Sequence, residues 1–200
     1  ARYEPSYWTD LQGKFWMFGG NNGSGVVNDL WKYDPVTNMW TWMKGSNTIN
    51  SNGSYGTKGV EAASNNPPAR MSYTKWKGKD KNFYVFAGGN AGASRNDVWR
   101  YNPFTNNWTW ISGTQVQNNQ GTYAGTCLPD STTYPAARFG HQTVHNPMTC
   151  TEIFWTFGGF KTAVNTETYN DLWVYNLTTN NWTWVSGSSA TNVNPNPGPI

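Results

Sequence analysis

The sequence predicts an all-β chain of three four-stranded antiparallel units, and three observations carry that prediction. First, the segment Asn28-Asp29-Leu30-Trp31-Lys32-Tyr33 returns as Asn96-Asp97-Val98-Trp99-Arg100-Tyr101 and as Asn170-Asp171-Leu172-Trp173-Val174-Tyr175. Second, each copy is followed at constant spacing by the same ending: Trp40-Thr41-Trp42, Trp108-Thr109-Trp110 and Trp182-Thr183-Trp184. Third, apolar and aromatic residues alternate with polar ones at period two between Gly, Pro, Asn and Asp. That is the pattern of half-buried strands, and no stretch has helical periodicity. The repeat takes precedence over local readings, because each period is one supersecondary unit that stacks on its neighbours.

Four strands are expected in each unit. Strand A falls near residues 3–8, 71–76 and 139–144, opened by Arg2, Arg70 and Arg138 at equal intervals of 68 residues. Strand B falls near 15–18, 84–87 and 154–157. It closes on Gly19-Gly20, Gly88-Gly89 and Gly158-Gly159, where a missing Cβ permits positive φ or a close chain approach. Strand C carries the Asn-Asp motif, with Trp31 and Tyr33 on one face because they are two residues apart. Asp34-Pro35, Asn102-Pro103 and Asn176-Leu177 open the turn to strand D, which is the Trp-Thr-Trp segment. The units divide at 1–68, 69–136 and 137–200. Residues 44–68 and 112–135, rich in Asn, Gly, Ser and Thr, read as long surface loops.

Gly-Gly after an aromatic strand, a spaced Trp-x-Tyr, then Thr-Asn-x-Trp (Thr37-Asn38, Thr105-Asn106 and Thr179-Asn180 lead into the ending) resembles the kelch repeat of kelch proteins and of the galactose-oxidase propeller. The resemblance covers essentially the whole chain, in units longer than the usual kelch repeat of about 50 residues. It implies a kelch-type β-propeller of three four-stranded blades, strand A innermost and strand D outermost. Propellers close with roughly four to eight blades, so three leave two faces bare. Further blades of a longer chain, a second copy or a partner are expected to cover them.

Composition narrows the function. Charged residues are only 12% of the chain, and Asn, Thr, Ser and Gly dominate the polar positions, a balance expected of a secreted or cell-surface protein. The net charge of +3 is too small and too scattered for a nucleic-acid footprint. No run approaches the roughly 18 apolar residues of a membrane span, and there is no basic-then-apolar leader. Any targeting segment has been removed or lies outside these residues.

Each chemically suggestive residue has a structural reading beside it. Asp29, Asp97 and Asp171 recur once per unit, and a triplicated acid serves a turn better than a catalytic centre. Arg2, Arg70 and Arg138 could converge on an anionic ligand at the channel mouth that the resemblance implies, or pair with those aspartates; the pairing is favoured. Lys75, Lys77, Lys79 and Lys81 alternate around one hairpin, as a solvated edge or as a contact for an anionic polysaccharide. His141 and His145, four apart on a strand, stand roughly 13 Å apart and cannot share a metal ion. The copper centre of galactose oxidase finds no matching residues, and no carboxylate pair is spaced for glycoside hydrolysis. The repeated tryptophans are expected to pack blade on blade instead of stacking on sugars. Asn22, Asn52, Asn107, Asn176 and Asn181 head Asn-x-Ser/Thr sequons, with Asn22 and Asn52 in loops. Cys127 and Cys150, too few for a zinc site, are expected to form a disulfide.

No catalytic, metal or cofactor signature emerges. The expectation is a non-catalytic extracellular module that binds protein or glycan through its B–C loops, residues 21–27, 90–95 and 160–169, and through the long D–A loops. The alternatives are a self-associating building block of a surface assembly, and the propeller portion of a larger oxidase or hydrolase.

Overall fold

The computed structural model describes residues 1–90, 92–146, 151–162 and 167–194, and within them every regular element is a strand. The first sheet is β1 (Ser6–Thr9), β2 (Phe15–Phe18), β3 (Leu30–Asp34) and β4 (Met39–Lys44), paired in that order. The second runs β5 (Thr74–Lys77), β6 (Phe83–Phe86), β9 (Val98–Asn102), β10 (Asn107–Ser112), with a small hairpin of β7 (Gly89–Asn90) and β8 (Ala93–Ser94) between β6 and β9. The third is β11 (Gln142–Asn146), β12 (Ile153–Phe160), β13 (Thr168–Asn176) and β14 (Asn181–Ser186). All pairings are antiparallel. The turn between the last two strands holds Asn38, Asn106 and Asn180 at φ 56°, 59° and 57°, a left-handed conformation that asparagine tolerates.

Period two explains how the sheets stack, because alternate side chains of each strand point to opposite faces. Trp8, Trp16, Phe18 and Leu30 of the first sheet meet Phe83, Val85, Trp99, Tyr101 and Trp108 of the second. Trp8 lies flat on Phe83, centroids 5.0 Å apart at 3°. One unit on, Trp76, Tyr84, Phe86 and Val98 meet Phe154, Trp173, Tyr175 and Trp182, with Trp76 stacked on Phe154 at 4.4 Å. Such pairs add about 0.5–1.5 kcal/mol each beyond the burial of their area. Trp40 on the first sheet, and Val144 and Phe157 on the third, face outward and are 46%, 64% and 50% exposed.

Two expectations need correction. Strand A begins three residues later than the alternation suggests. The chain makes a single bridge at Tyr3, Met71 and Phe139 and then passes through a left-handed residue, Glu4, Ser72 or Gly140, which interrupts the pleat. The glycine pair of the second unit is also displaced by one. The consecutive left-handed residues are Gly19-Gly20, Ala87-Gly88 and Gly158-Gly159. Ala87 takes φ 58° where the other units have glycine, so Gly88-Gly89 was the wrong match. The close approach is real: a Cβ on Gly88 would stand 2.4 Å from Tyr73 Cβ.

Candidate functional site

The start of strand A, the end of B, the start of C and the end of D meet at one end of each sheet, and the repeated charges meet there with them. Arg70 grips Asp97 with two parallel bonds of 2.7 Å, Nη1 to Oδ1 and Nη2 to Oδ2, and Arg138 grips Asp171 at 2.8 and 2.7 Å. All four side chains are completely buried. Arg2 and Asp29 form the same fork at 2.6 and 2.8 Å but remain partly exposed. Each arginine also donates to the carbonyl of the first left-handed residue, Gly19, Ala87 or Gly158. Each aspartate accepts an indole N–H two residues on, from Trp31, Trp99 or Trp173. Burial alone would raise the Asp97 and Asp171 carboxyls, but Arg70 and Arg138 overcome it and hold both below the usual carboxylate range. The three arginines are thus placed as internal anchors that fasten strand A to the B–C connection.

Above these anchors sit the B–C loops. Their backbones are pinned by a triplicated asparagine that sequence reasoning overlooked. Asn50 Oδ1 accepts from Val26 N at 3.3 Å, Asn118 Oδ1 from Ser94 N at 2.8 Å, and Asn192 Oδ1 from Thr168 N at 2.9 Å. All three take φ between 54° and 58°. The aspartates receive a further overlooked ligand: Tyr55 donates to Asp97 at 2.6 Å and Tyr123 to Asp171 at 2.7 Å, each from the D–A loop of the preceding unit. Burial, then the neighbouring carboxylate, pushes both phenols far up, so they stay protonated donors. The constant offset of Asn50, Asn118 and Asn192 from the Trp-Thr-Trp endings was the available signal. The polar composition of the loops concealed it.

The other candidate residues disperse. Lys75 lies over the Tyr7 ring at 4.1 Å and Lys77 donates to Thr9 O at 2.8 Å, both folded against the first sheet. Lys79 N donates to the Glu152 carboxylate, and Lys81 occupies the turn at φ 69°. Two of the four ammonium groups, those of Lys75 and Lys77, are thus turned toward the first sheet, while Lys79 and Lys81 are exposed. His141 Nε2 pairs with Thr74 Oγ1 at 2.7 Å and His145 Nε2 with Glu152 Oε1 at 2.8 Å. Among the described residues no group of three or more His, Cys, Asp or Glu is placed to hold a metal, and no helix is long and apolar enough to cross a membrane. Asn22 and Asn52 are exposed in loops; Asn107, Asn176 and Asn181 lie in strands and are half-buried.

The expected disulfide is not made. Cys127 is an exposed free thiol whose backbone N–H donates to Trp184 O at 2.7 Å, on the outer strand β14. Cys150 lies outside the described residues.

Burial pushes the His141 imidazole down to about 3, and Arg138 adds to the effect. The ordinary value is near 6.5, so between pH 6.5 and about 3 the unfolded chain binds the extra proton. The stability that depends on neutral His141 is complete above pH 6.5 and is lost as pH falls through that window. Urea titrations are expected to show a loss of about 3 kcal/mol between pH 7 and 4, and His141→Gln should flatten it. The stability that depends on the depressed Asp97 and Asp171 carboxyls is complete above about pH 4 and is lost only as pH falls below it. An unchanged slope in His141→Gln would assign the effect elsewhere.

A family model described as the kelch motif matches residues 5–47, the first of the repeats. Among solved structures the chain is similar to YjhT, a kelch-type propeller, with a TM-score of 0.59 at 14% identity. The match covers 95% of this chain and 54% of that one, so the chain spans about half of YjhT's length. At this identity the likeness concerns the fold alone. No curated protein sequence matches the chain. Repeated motif, sheet order and structural likeness agree that this chain is built on the kelch-type β-propeller plan, from four-stranded antiparallel blades.

Proposed function

We propose that the chain is a non-catalytic recognition module, working outside the cell, that holds a protein or glycan ligand with its B–C loops. The observation that carries this reading is the contrast between loop backbone and loop side chains. The backbone is fixed by Asn50, Asn118 and Asn192 and by the anchors beneath. The side chains do not repeat from blade to blade, and those of Asn22, Ser24 and Phe160 are exposed. Fixed loops with variable, outward side chains lose little entropy on binding. The kelch-type propeller is itself a protein-interaction fold, and low charge with loop sequons at Asn22 and Asn52 supports an extracellular setting.

The test replaces residues 21–25 and 160–162 by Gly-Ser sequences of equal length, leaving the pinning asparagines intact. Circular dichroism should be unchanged, while binding to glycan arrays and to intact cells should fall at least about tenfold. Undiminished binding by the loop-exchanged protein, or no binding to either by the natural one, would sink the proposal. The second reading, a building block that self-associates, is favoured by the exposed aromatic face around Trp40 and the apolar one around Val144 and Phe157.

A further inference from the structure

The three outer strands are treated unequally. Along β10 runs the 53–65 loop. Its Tyr55 packs on Trp99 (centroids 5.0 Å) and edge-on to Trp110 (5.1 Å), and donates to Asp97 Oδ2. Lys58 Nζ lies 4.5 Å over Trp110 and donates to Gly113 O at 2.8 Å. The loop backbone then follows the strand, with Gly59 N donating to Trp110 O at 2.8 Å and Ala62 N to Trp108 O at 3.5 Å.

Along β14 the 121–133 loop repeats the tyrosine and backbone contacts. Tyr123 packs on Trp173 (5.0 Å) and edge-on to Trp184 (5.2 Å) and donates to Asp171 Oδ2. Cys127 N donates to Trp184 O at 2.7 Å and Asp130 N to Trp182 O at 3.2 Å. Beyond the glycine and tyrosine the two loops have little sequence in common, so the receiving blade specifies the contact.

The first blade has the receiving half, and among the described residues no loop lies upon it. Asp29, Trp31, Trp42 and Gly45 line an open cleft of about 450 Å³ where the tyrosines sit in the other blades. Trp42 is 54% exposed and its counterpart Trp110 only 8%. Asp29 already takes the same arginine fork and indole bond as Asp97, so its Oδ2 retains the capacity that Asp97 Oδ2 gives to Tyr55.

We infer that this edge is a docking groove for the tyrosine-bearing loop of a further kelch-type blade. The phenol donates to Asp29 Oδ2 between Trp31 and Trp42, and the loop backbone donates to the Trp42 and Trp40 carbonyls. The inference concerns the outer edge of the first blade and stands apart from the ligand loops.

A synthetic peptide of residues 53–65 is the probe, titrated into the isotope-labelled chain while the indole N–H signals of Trp31 and Trp42 are followed by NMR. Both signals should shift saturably. The same peptide with Tyr55→Phe should bind about tenfold or more weakly, since it lacks the hydrogen bond to a carboxylate. Trp42→Ala, at an exposed position, should keep the fold and lose the binding. Shifts of the same two signals by p-cresol, the bare tyrosine side chain, also support the groove. Indoles unmoved by both probes, a phenylalanine peptide as tight as the tyrosine peptide, or undiminished binding to Trp42→Ala would each overturn it.

Discussion

Arg70→Met is expected to destabilise the chain by about 3–5 kcal/mol, because it strands the fully buried Asp97 carboxylate without its counter-charge. Asp97 also holds Tyr55 and Trp99, so the loss reaches the loop from the preceding blade as well as the strand it begins. Against a total stability of about 5–15 kcal/mol for a domain, a loss of this size brings the protein near unfolding at 37 °C. Arg2→Met removes the same chemical group from the same place in the repeat. Its partner Asp29 is only 7% exposed but borders the open cleft beside Trp31 and Trp42, so water reaches the carboxylate once Arg2 is gone and the expected cost is about 1 kcal/mol. Urea midpoints of the two variants, read by far-ultraviolet circular dichroism, check the contrast. Equal losses would show that burial does not set the strength of these anchors.

The repeat made the architecture legible and also set the limit of what could be read. Trp31, Trp99 and Trp173 recur at one spacing, and the structure puts each on strand C with its indole bonded to the aspartate two residues before it. The arginine–aspartate fork was equally accessible, since both members recur with the repeat. Matching identical letters failed where the backbone required a conformation and not a residue. Ala87 adopts the left-handed geometry of Gly19 and Gly158, and the written pair Gly88-Gly89 misled by one position. The D–A loops concealed more. Tyr55 and Tyr123 serve the blade after their own, and a bond between units separated by 42 and 48 residues leaves no local periodicity to detect. The half-lit case is Cys127: a cysteine in the loop leading into the third unit and another in the turn expected after that unit's first strand suggested a bridge, but the loop bearing the first is drawn along β14 by its backbone bonds to Trp182 and Trp184.

Trp40, Trp108 and Trp182 are one sequence position in three environments, and substituting each by alanine separates packing from sequence. Trp108 and Trp182 are completely buried, against Phe18 at 5.0 Å and Phe86 at 4.9 Å in the adjoining blades. Truncating either should cost about 3–5 kcal/mol, the removed area plus the cavity left behind. Among the described residues the aromatic rings that Trp40 meets are Phe15 and Tyr33 of its own sheet, and it is 46% exposed, so Trp40→Ala should cost under about 1 kcal/mol. Its larger effect is expected on association. The face it shares with Trp31 and Tyr33 corresponds to the one on which the second and third blades receive a neighbour, and Val144 and Phe157 present the reciprocal face at the other end. Covering several hundred Å² of such surface is worth many kcal/mol at about 25 cal/mol per Å², before the entropy of binding is subtracted. Two copies related by a twofold axis bring each first blade against the partner's third and close the ring, whereas contacts that miss closure propagate as a filament. Light scattering on the natural chain is therefore expected to show dimers or larger species that dissociate on Trp40→Ala substitution. A folded monomer that binds no hydrophobic dye would mean that three blades are stable with both end faces in water, and that Trp40 is exposed without consequence.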